Sequence, residues 1–469
     1  MNTKIKFGTD GWRAIIAQDF TVENVARVSE ATAKWIIKIQ KNPIVIVGHD
    51  CRFAGELFAE TVTKVFLAHG IKVLLAKDFI STPMISLGVV KYNTHLGIII
   101  TASHNPPSYN GYKIKAHYGG PLGPELVQEI ENIIPENCTT DYYSINLSEA
   151  KNNGTLQIVP LEDLYIQHVE SSFDLQAIKN ANLNFAYDAM YGAGQRVMER
   201  LFPEIHKLHC ENNPSFNGQA PEPIHKNLTE FSDFIRRNGE ISCGLATDGD
   251  ADRIGLYDSK GNFVDSHHII LLLIHYLVKY KKQTGKVATA FSTTVKIKNM
   301  CDYYGLELEV VKIGFKHICS IMVNEDVLVG GEESGGIAIK GHIPERDGIW
   351  MGLTIWEFMA KTGKSLHELI EEVYAITGTF CFERNDMHIT ESKKENVLKN
   401  CKDGLYKEFG KYKIQRVDDL DGYKFFFDEN TWMMIRASGT EPLLRIYAEA
   451  STQDIANDIL KEVKQILLN

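Results

Sequence analysis

The strongest constraint on this chain is a series of short, wholly apolar runs that end abruptly in polar loops. Pro43-Ile-Val-Ile-Val-Gly48, Ile71–Leu75 and Leu96-Gly-Ile-Ile-Ile100 each have the length of a strand. Between them, Val22–Ile39 and Glu56–His69 carry apolar residues at helical spacing, the second with Gly70 placed as a C-cap. Strands that are apolar on both faces must be covered on both faces. The pattern therefore predicts a mostly buried, mixed sheet between helices.

The same pattern recurs along the chain. Asn184–Tyr187 and Cys243–Ala246 read as strands of a second round. The third round has a buried helix over Ile269–Val278 and strands near Val287–Ala290 and Val327–Val329. From about Phe380 the texture changes. Asp386–Thr390, Trp432–Arg436 and Leu444–Glu449 read as strands of a half-exposed sheet, followed by a helix from Ile455 to about Leu468. Boundaries fall near 155, 257 and 375, giving domains 1–155, 156–257, 258–375 and 376–469. At 469 residues, several cores are expected rather than one.

A net charge of −10, with no long basic run, argues against nucleic acid and anionic membrane as partners. The run Ile269–Val278 is too short to span a bilayer, and the first residues lack the apolar stretch of a secretory signal. Eight cysteines stand singly, with no CxxC pair, which favours reduced thiols over a disulfide framework or zinc site. A cytoplasmic location is the expectation.

Four segments carry possible chemistry. Thr101-Ala-Ser-His-Asn-Pro-Pro-Ser-Tyr-Asn-Gly-Tyr-Lys113 follows an apolar strand directly, where ligands bind in α/β proteins. Its prolines and Asn110-Gly111 predict a rigid turn presenting Ser103 and His104. Thr247-Asp-Gly-Asp-Ala-Asp-Arg253 sets three carboxylates at alternate positions, an oxygen cage suited to a hard divalent ion such as Mg²⁺. It is not an EF-hand, because the sixth position is Arg253 and the twelfth is Ser259. Gly330-Gly-Glu-Glu-Ser-Gly-Gly336 would let backbone approach a ligand while Glu332 and Ser334 read hydroxyls. Arg436-Ala-Ser-Gly-Thr-Glu-Pro442 could nest a phosphate dianion. Taken singly, each also reads as an ordinary surface turn. No GxSxG elbow, no GxxxxGK[ST] loop and no complete dinucleotide fingerprint is present. Together the four supply a hydroxyl nucleophile, a cation site, a polyol reader and a phosphate clamp.

With these motifs in this order, and Phe7-Gly-Thr-Asp-Gly-Trp-Arg13 before them, the chain resembles the α-D-phosphohexomutase family, specifically its phosphoglucomutase/phosphomannomutase branch. The resemblance runs from that first motif to the Arg436 loop. It implies three related α/β mixed-sheet domains and a C-terminal α+β domain around a central cleft. It further implies a phosphoserine at Ser103, with Mg²⁺ held by Asp248, Asp250, Asp252 and a phosphoserine oxygen. Glu332 and Ser334 match the sugar-reading positions. Arg436, Ser438, Gly439 and Thr440 match the loop for the non-reacting phosphate. Arg13, His104, Lys113 and Arg253 match the charged residues around the reacting phosphate, and Lys312–Lys316 is similar to a specificity loop. Some phosphomannomutase-like members carry His where this chain has Gly336, which loosens the choice of sugar.

The implied reaction interconverts hexose 1-phosphate and hexose 6-phosphate, of glucose, mannose or both, through a hexose 1,6-bisphosphate. The partners are then small-molecule hexose phosphates. Lys113 is the first candidate for the base if cationic surroundings depress its pKa, with His104 second. A Mg²⁺ phosphatase would not need a second phosphate nest, and a non-catalytic binding protein would be expected to have lost Ser103 or an aspartate.

Overall fold

The computed structural model describes residues 4–437 and 443–468. The chain divides into two compact units, Met1–Lys286 with Gly314–Leu369 and Val287–Ile313 with Ile370–Asn469. Within the first unit, the N-terminal part contains β1 (Trp12–Ile15), α1 (Val22–Ile39), β2 (Ile44–His49), α2 (Gly55–Ala68), β3 (Lys72–Ala76), α3 (Thr82–Lys91), β4 (Leu96–Ile100), β5 (Tyr109–Ala116) and β6 (Leu156–Val159). These strands form one sheet in the order β1-β5-β4-β2-β3-β6. β2 pairs in parallel with β3 and β4, and β5 runs antiparallel to β4 and β1. The apolar runs thus sit at the centre of a mixed sheet, as the sequence predicts. Val45, Val47, Ile98 and Ile100 are fully buried beside Val25, Val28 and Phe66 from the covering helices.

The helix starts follow from local chemistry. Thr21 accepts from the Asn24 amide to cap α1. Ser81 accepts from Met84 to cap α3, with Pro83 in its first turn. One expectation fails. Asn110-Gly111 is not a turn but part of β5, where Gly111 lies opposite Arg13 of β1. A Cβ on Gly111 would stand 2.5 Å from the Thr101 carbonyl, so close strand packing, not a bend, demands glycine here.

A second sheet of the same unit has the order β11-β10-β9-β7-β8, from β7 (Asn184–Asp188), β8 (His206–Leu208), β9 (Ile241–Thr247), β10 (Ile254–Asp258) and β11 (Phe263–Val264). The aspartate loop is the β9–β10 connection. Val327–Gly331 and Ile337–Ile339 form an antiparallel hairpin around the Glu332 loop. The helix Gly348–Thr362 that follows is capped by Asp347, whose carboxylate accepts from the Trp350 amide. The helix predicted over Ile269–Val278 is Ser266–His275, continued by one π-helical stretch over Tyr276–Tyr280.

In the second unit, strands Cys381–His388, Leu443–Ala450, Trp432–Ala437, Tyr423–Phe426 and Arg416–Asp418 lie side by side in that order. Helix Gln453–Leu468 buries Ala456, Ile459 and Val463 in the same core as Met433, Ile435, Leu444 and Ile446. This is the β-rich C-terminal layer expected from the change of texture near Phe380, but it is not half-exposed. Trp432, Met434 and Tyr447 on its other face pack with Phe291 and Phe426, so its central strands are buried on both sides. Among the described residues, no helix is long and apolar enough to cross a membrane.

Candidate active site

Ser103 sits where β4 ends, in the left-handed backbone region at φ +53°. That conformation is costly for a residue with a side chain, of order 1–3 kcal/mol, and persists only where surroundings enforce it. It aims the Ser103 hydroxyl at the aspartate loop, where Oγ donates to Asp248 Oδ2 at 2.6 Å. The other oxygen of Asp248 accepts the amides of Asp252 and Arg253 at 2.9 and 3.0 Å. Gly249 permits the approach, because a Cβ there would lie 2.6 Å from the Ser103 carbonyl oxygen.

Asp248, Asp250 and Asp252 are all fully buried, and their ligand oxygens lie within 4.8 Å of one another. Asp250 Oδ2 accepts from Thr82 Oγ1 at 2.5 Å and from Lys113 Nζ at 2.7 Å. Asp252 Oδ2 meets Lys113 at 3.0 Å and Arg346 Nη2 at 2.8 Å. Among the described residues, Asp250 Oδ1 and Asp252 Oδ1 accept no hydrogen bond although both are buried. Buried carboxylate oxygens left without donors are costly unless a cation takes them. The donor set, three carboxylates beside a serine oxygen, therefore fits a hard divalent ion such as Mg²⁺.

The titrations follow the same geometry. Burial raises Asp248 well above the ordinary carboxylate range, reinforced by Asp250 and Asp252 beside it. Burial also acts to raise Asp250, but Lys113 and Thr82 outweigh it and hold the carboxyl below its usual value. Asp10 is likewise held well below, against burial, by Lys113, Lys115, Arg346 and Arg13.

The condition attached to Lys113 as a base is not met. Burial would lower its pKa, yet Asp10, Asp250 and Asp252 together raise it, so it is a fixed ammonium pinning carboxylates. His104 behaves oppositely. Burial and the cations Arg253, Arg13, Lys113 and Arg52 push it well below 6.5, so it is neutral, with Nδ1 3.4 Å from Ser103 Oγ.

Arg13 donates to Asn105 Oδ1 at 2.6 Å, tying β1 to the serine loop. Arg253 stands 3.7 Å from Glu222 Oε1 and 4.0 Å from Asp252 Oδ1. Glu332 is buried and accepts from the Gly314 amide at 2.8 Å. Burial raises its pKa to about 7, against the pull of Arg346. Ser334 is half-buried in the same turn. Packing by itself already requires the glycines of this loop. A Cβ at Gly330 or Gly331 would collide with Ile318 or Ile270, and one at Gly335 (φ +88°) would lie 2.7 Å from the Ile254 carbonyl.

Arg436 belongs to the second unit, at the end of strand Trp432–Ala437, with Nε 3.3 Å from Asp421 Oδ1. Ser438, Gly439 and Thr440 lie outside the described residues.

Sequence reasoning missed several groups that shape the site. On β5, Tyr112, Ile114 and Ala116 face the core, so Lys113 and Lys115 share the opposite face. Lys115 Nζ meets Glu345 Oε2 at 2.5 Å, and Arg346 pairs with Asp10 and Asp252. The alternation Tyr-Lys-Ile-Lys was the available signal. For Glu345-Arg346 the sequence offers none.

Family models for phosphoglucomutase/phosphomannomutase domains I, II, III and the C-terminal domain match residues 4–140, 163–261, 265–377 and 393–466. A phosphoglucosamine mutase from Methanococcus maripaludis is 32% identical, covering 89% of this chain and 90% of its own. The chain belongs to the α-D-phosphohexomutase family. It is thus a phosphohexomutase, an isomerase of carbohydrate metabolism. A phosphoglucomutase/phosphomannomutase from Thermococcus kodakarensis is 29% identical over 97% of this chain and 96% of its own. A crystal structure from Thermus thermophilus, assigned as a phosphomannomutase, superimposes with a TM-score of 0.88 at 32% identity, covering both chains fully.

Proposed function

We propose that this phosphohexomutase interconverts hexose 1-phosphate and hexose 6-phosphate, of glucose, mannose or both, through a phosphoserine at Ser103 and a hexose 1,6-bisphosphate. The observation that carries the reading is the Ser103 hydroxyl on Asp248 beside two buried carboxylate oxygens that lack donors. Four domains with boundaries near 155, 257 and 375 accompany it.

Phosphoryl transfer depends on in-line positioning and neutralisation of charge. Asp248, Asp250 and Asp252 would hold Mg²⁺, which when bound supplies Lewis-acid polarisation of a phosphoryl oxygen on Ser103. Arg13 and Arg253 offer guanidinium donors to the remaining oxygens. The bond from phosphorus to Ser103 Oγ breaks as a sugar hydroxyl oxygen bonds to phosphorus, giving the bisphosphate. The sugar hydroxyl gives up its proton as its oxygen bonds to phosphorus, and Ser103 Oγ takes up a proton as it departs. His104, with Nδ1 3.4 Å from Ser103 Oγ, is the candidate to carry it, against the neighbouring cations that disfavour its charged form. The bisphosphate turns over and returns its other phosphoryl group to Ser103. Meanwhile Arg436, with Ser438, Gly439 and Thr440, holds the phosphate that does not react. Glu332, with its pKa near neutrality, can accept from or donate to sugar hydroxyls in both orientations, aided by Ser334.

A second reading, glucosamine phosphate as substrate, is favoured by the Methanococcus maripaludis relative. The three sugars differ at one carbon, a difference worth only a few kcal/mol of discrimination. ³¹P NMR of protein incubated with glucose, mannose or glucosamine 1-phosphate, Mg²⁺ and a trace of bisphosphate separates them. Fastest conversion of glucose or mannose 1-phosphate to the 6-phosphate is expected. Preference for glucosamine 1-phosphate overturns the sugar assignment, and release of inorganic phosphate alone overturns the mutase reading.

A further inference from the structure

Resting on the phosphoserine reading, we infer that Arg52, seated by Asp50, is a positioning residue that holds the nucleophile loop in its reactive shape. Arg52 follows β2 and is 3% exposed. Its guanidinium is wrapped by the loop's own carbonyls: Nη2 donates to Ser103 O and Asn105 O, both at 2.6 Å, and Nη1 donates to Pro106 O and Tyr109 O, both at 2.9 Å. Four carbonyl oxygens converging on one point repel one another, and only a planar fork of donors satisfies them together. Phe216 covers the guanidinium at 5.0 Å from its ring centre.

Asp50 completes the seat. Its Oδ1 accepts the Arg52 amide at 2.9 Å, and its Oδ2 accepts Thr101 Oγ1 at 2.5 Å while lying 3.5 Å from Arg52 Nε. Thr101 Oγ1 in turn accepts the Ser103 amide at 2.9 Å. Both the amide and the carbonyl of Ser103 are therefore tied to the Asp50–Arg52 pair, on either side of its left-handed φ. This is the arrangement needed to sustain a strained nucleophile that would otherwise relax and swing Oγ from Asp248. Among the described residues the hydrogen bonds of the Arg52 guanidinium go to the loop backbone, so it positions Ser103 through that backbone, beside the repulsion its charge adds at His104.

The test compares wild type with Arg52→Lys, using glucose 1-phosphate, Mg²⁺ and glucose 1,6-bisphosphate. Lysine keeps the charge but cannot span four carbonyls. A fall in kcat of about 100-fold is expected from a misplaced nucleophile, with KM for glucose 1-phosphate and Mg²⁺ affinity changed less than about threefold. Guanidinium added to Arg52→Ala should restore part of the lost turnover, since the Arg52 site borders a cleft lined by Phe53, Asp78 and Phe79. A kcat within about threefold of wild type in Arg52→Lys overturns the inference. Should that variant fail to fold, Asp50→Asn is read instead: a fall of about tenfold supports it and an unchanged kcat overturns it. Wild type that moves no phosphate on any hexose phosphate overturns the reading beneath it, and the clamp's role with that.

Discussion

Ser103 Oγ donates to Asp248 Oδ2 across 2.6 Å although 145 residues separate them in the chain. The proposed nucleophile and the proposed cation site are thus one buried unit, built from the β4–β5 loop on one side and the β9–β10 loop on the other. Thr82, at the start of α3, joins them by giving its hydroxyl to the Asp250 carboxylate and its amide to the Asp250 carbonyl.

The orphaned oxygens of Asp250 and Asp252 give the first prediction. Mg²⁺ should raise the melting temperature of wild type, by an amount equivalent to about 2.7 kcal/mol at 100 times Kd. Asp250→Asn should lose most of that increase and nearly all turnover, whereas EDTA should abolish turnover in wild type. Differential scanning fluorimetry at stepped Mg²⁺ checks the first and a mutase assay the second. A full Mg²⁺ response in Asp250→Asn would place the ion elsewhere.

Lys113 neutralises Asp10, Asp250 and Asp252 from inside the protein. Replacing it with Met leaves three carboxylates facing one another without their ammonium. Removing one partner of a buried ion pair costs about 3–5 kcal/mol, so Lys113→Met should be destabilised on that scale in urea unfolding. Added Mg²⁺ should recover more stability in this variant than in wild type. Unchanged stability would show that Lys113 is not the counter-charge.

Much of this architecture is legible in the sequence, and the exceptions share one physical cause. The apolar runs at Ile44–Val47 and Leu96–Ile100 mark strands because burial on both faces leaves no room for polar residues. The change of texture near Phe380 marks the C-terminal sheet, but not its exposure: Met433, Ile435 and Ile446 pack into one core and Trp432, Met434 and Tyr447 into another on the opposite face. β5 escaped because Asn110-Gly111 read as a turn and Lys113 and Lys115 break its apolar pattern, and the burial of the two lysines is licensed only by distant partners. Lys113 finds Asp250 137 residues away, and Lys115 finds Glu345 230 residues away. The same holds for Arg52, whose fork is matched to carbonyls that a one-dimensional pattern does not display. The glycines around Glu332 announced a loop, and the packing against Ile270, Ile318 and Ile254 that also requires them is supplied only by the fold.

Away from the site, Glu30 on α1 gives a pH prediction. It accepts from Lys34 Nζ at 2.6 Å and from the amide and hydroxyl of Thr139, at 2.8 and 2.5 Å. Burial opposes ionisation, but these donors win and lower its pKa from 4.5 to about 2. A depressed folded-state value means the stabilisation is complete above about pH 4.5 and fades as pH falls toward 2. Glu30→Gln should therefore be less stable than wild type at neutral pH, by about 1–2 kcal/mol. The gap should narrow with acidification in urea titrations at stepped pH. A gap that is constant from pH 7 to about pH 3 would contradict the assignment.

The central claim is that Ser103 carries the phosphoryl group between the two positions of the sugar. Intact-protein and peptide mass spectrometry after incubation with glucose 1,6-bisphosphate and Mg²⁺ tests it directly. The account predicts the mass of one phosphoryl group on the Ser103 peptide, discharged by added glucose 1-phosphate or glucose 6-phosphate and absent from Ser103→Ala. Full turnover in Ser103→Ala, or a phosphoryl group found on another residue, would contradict it.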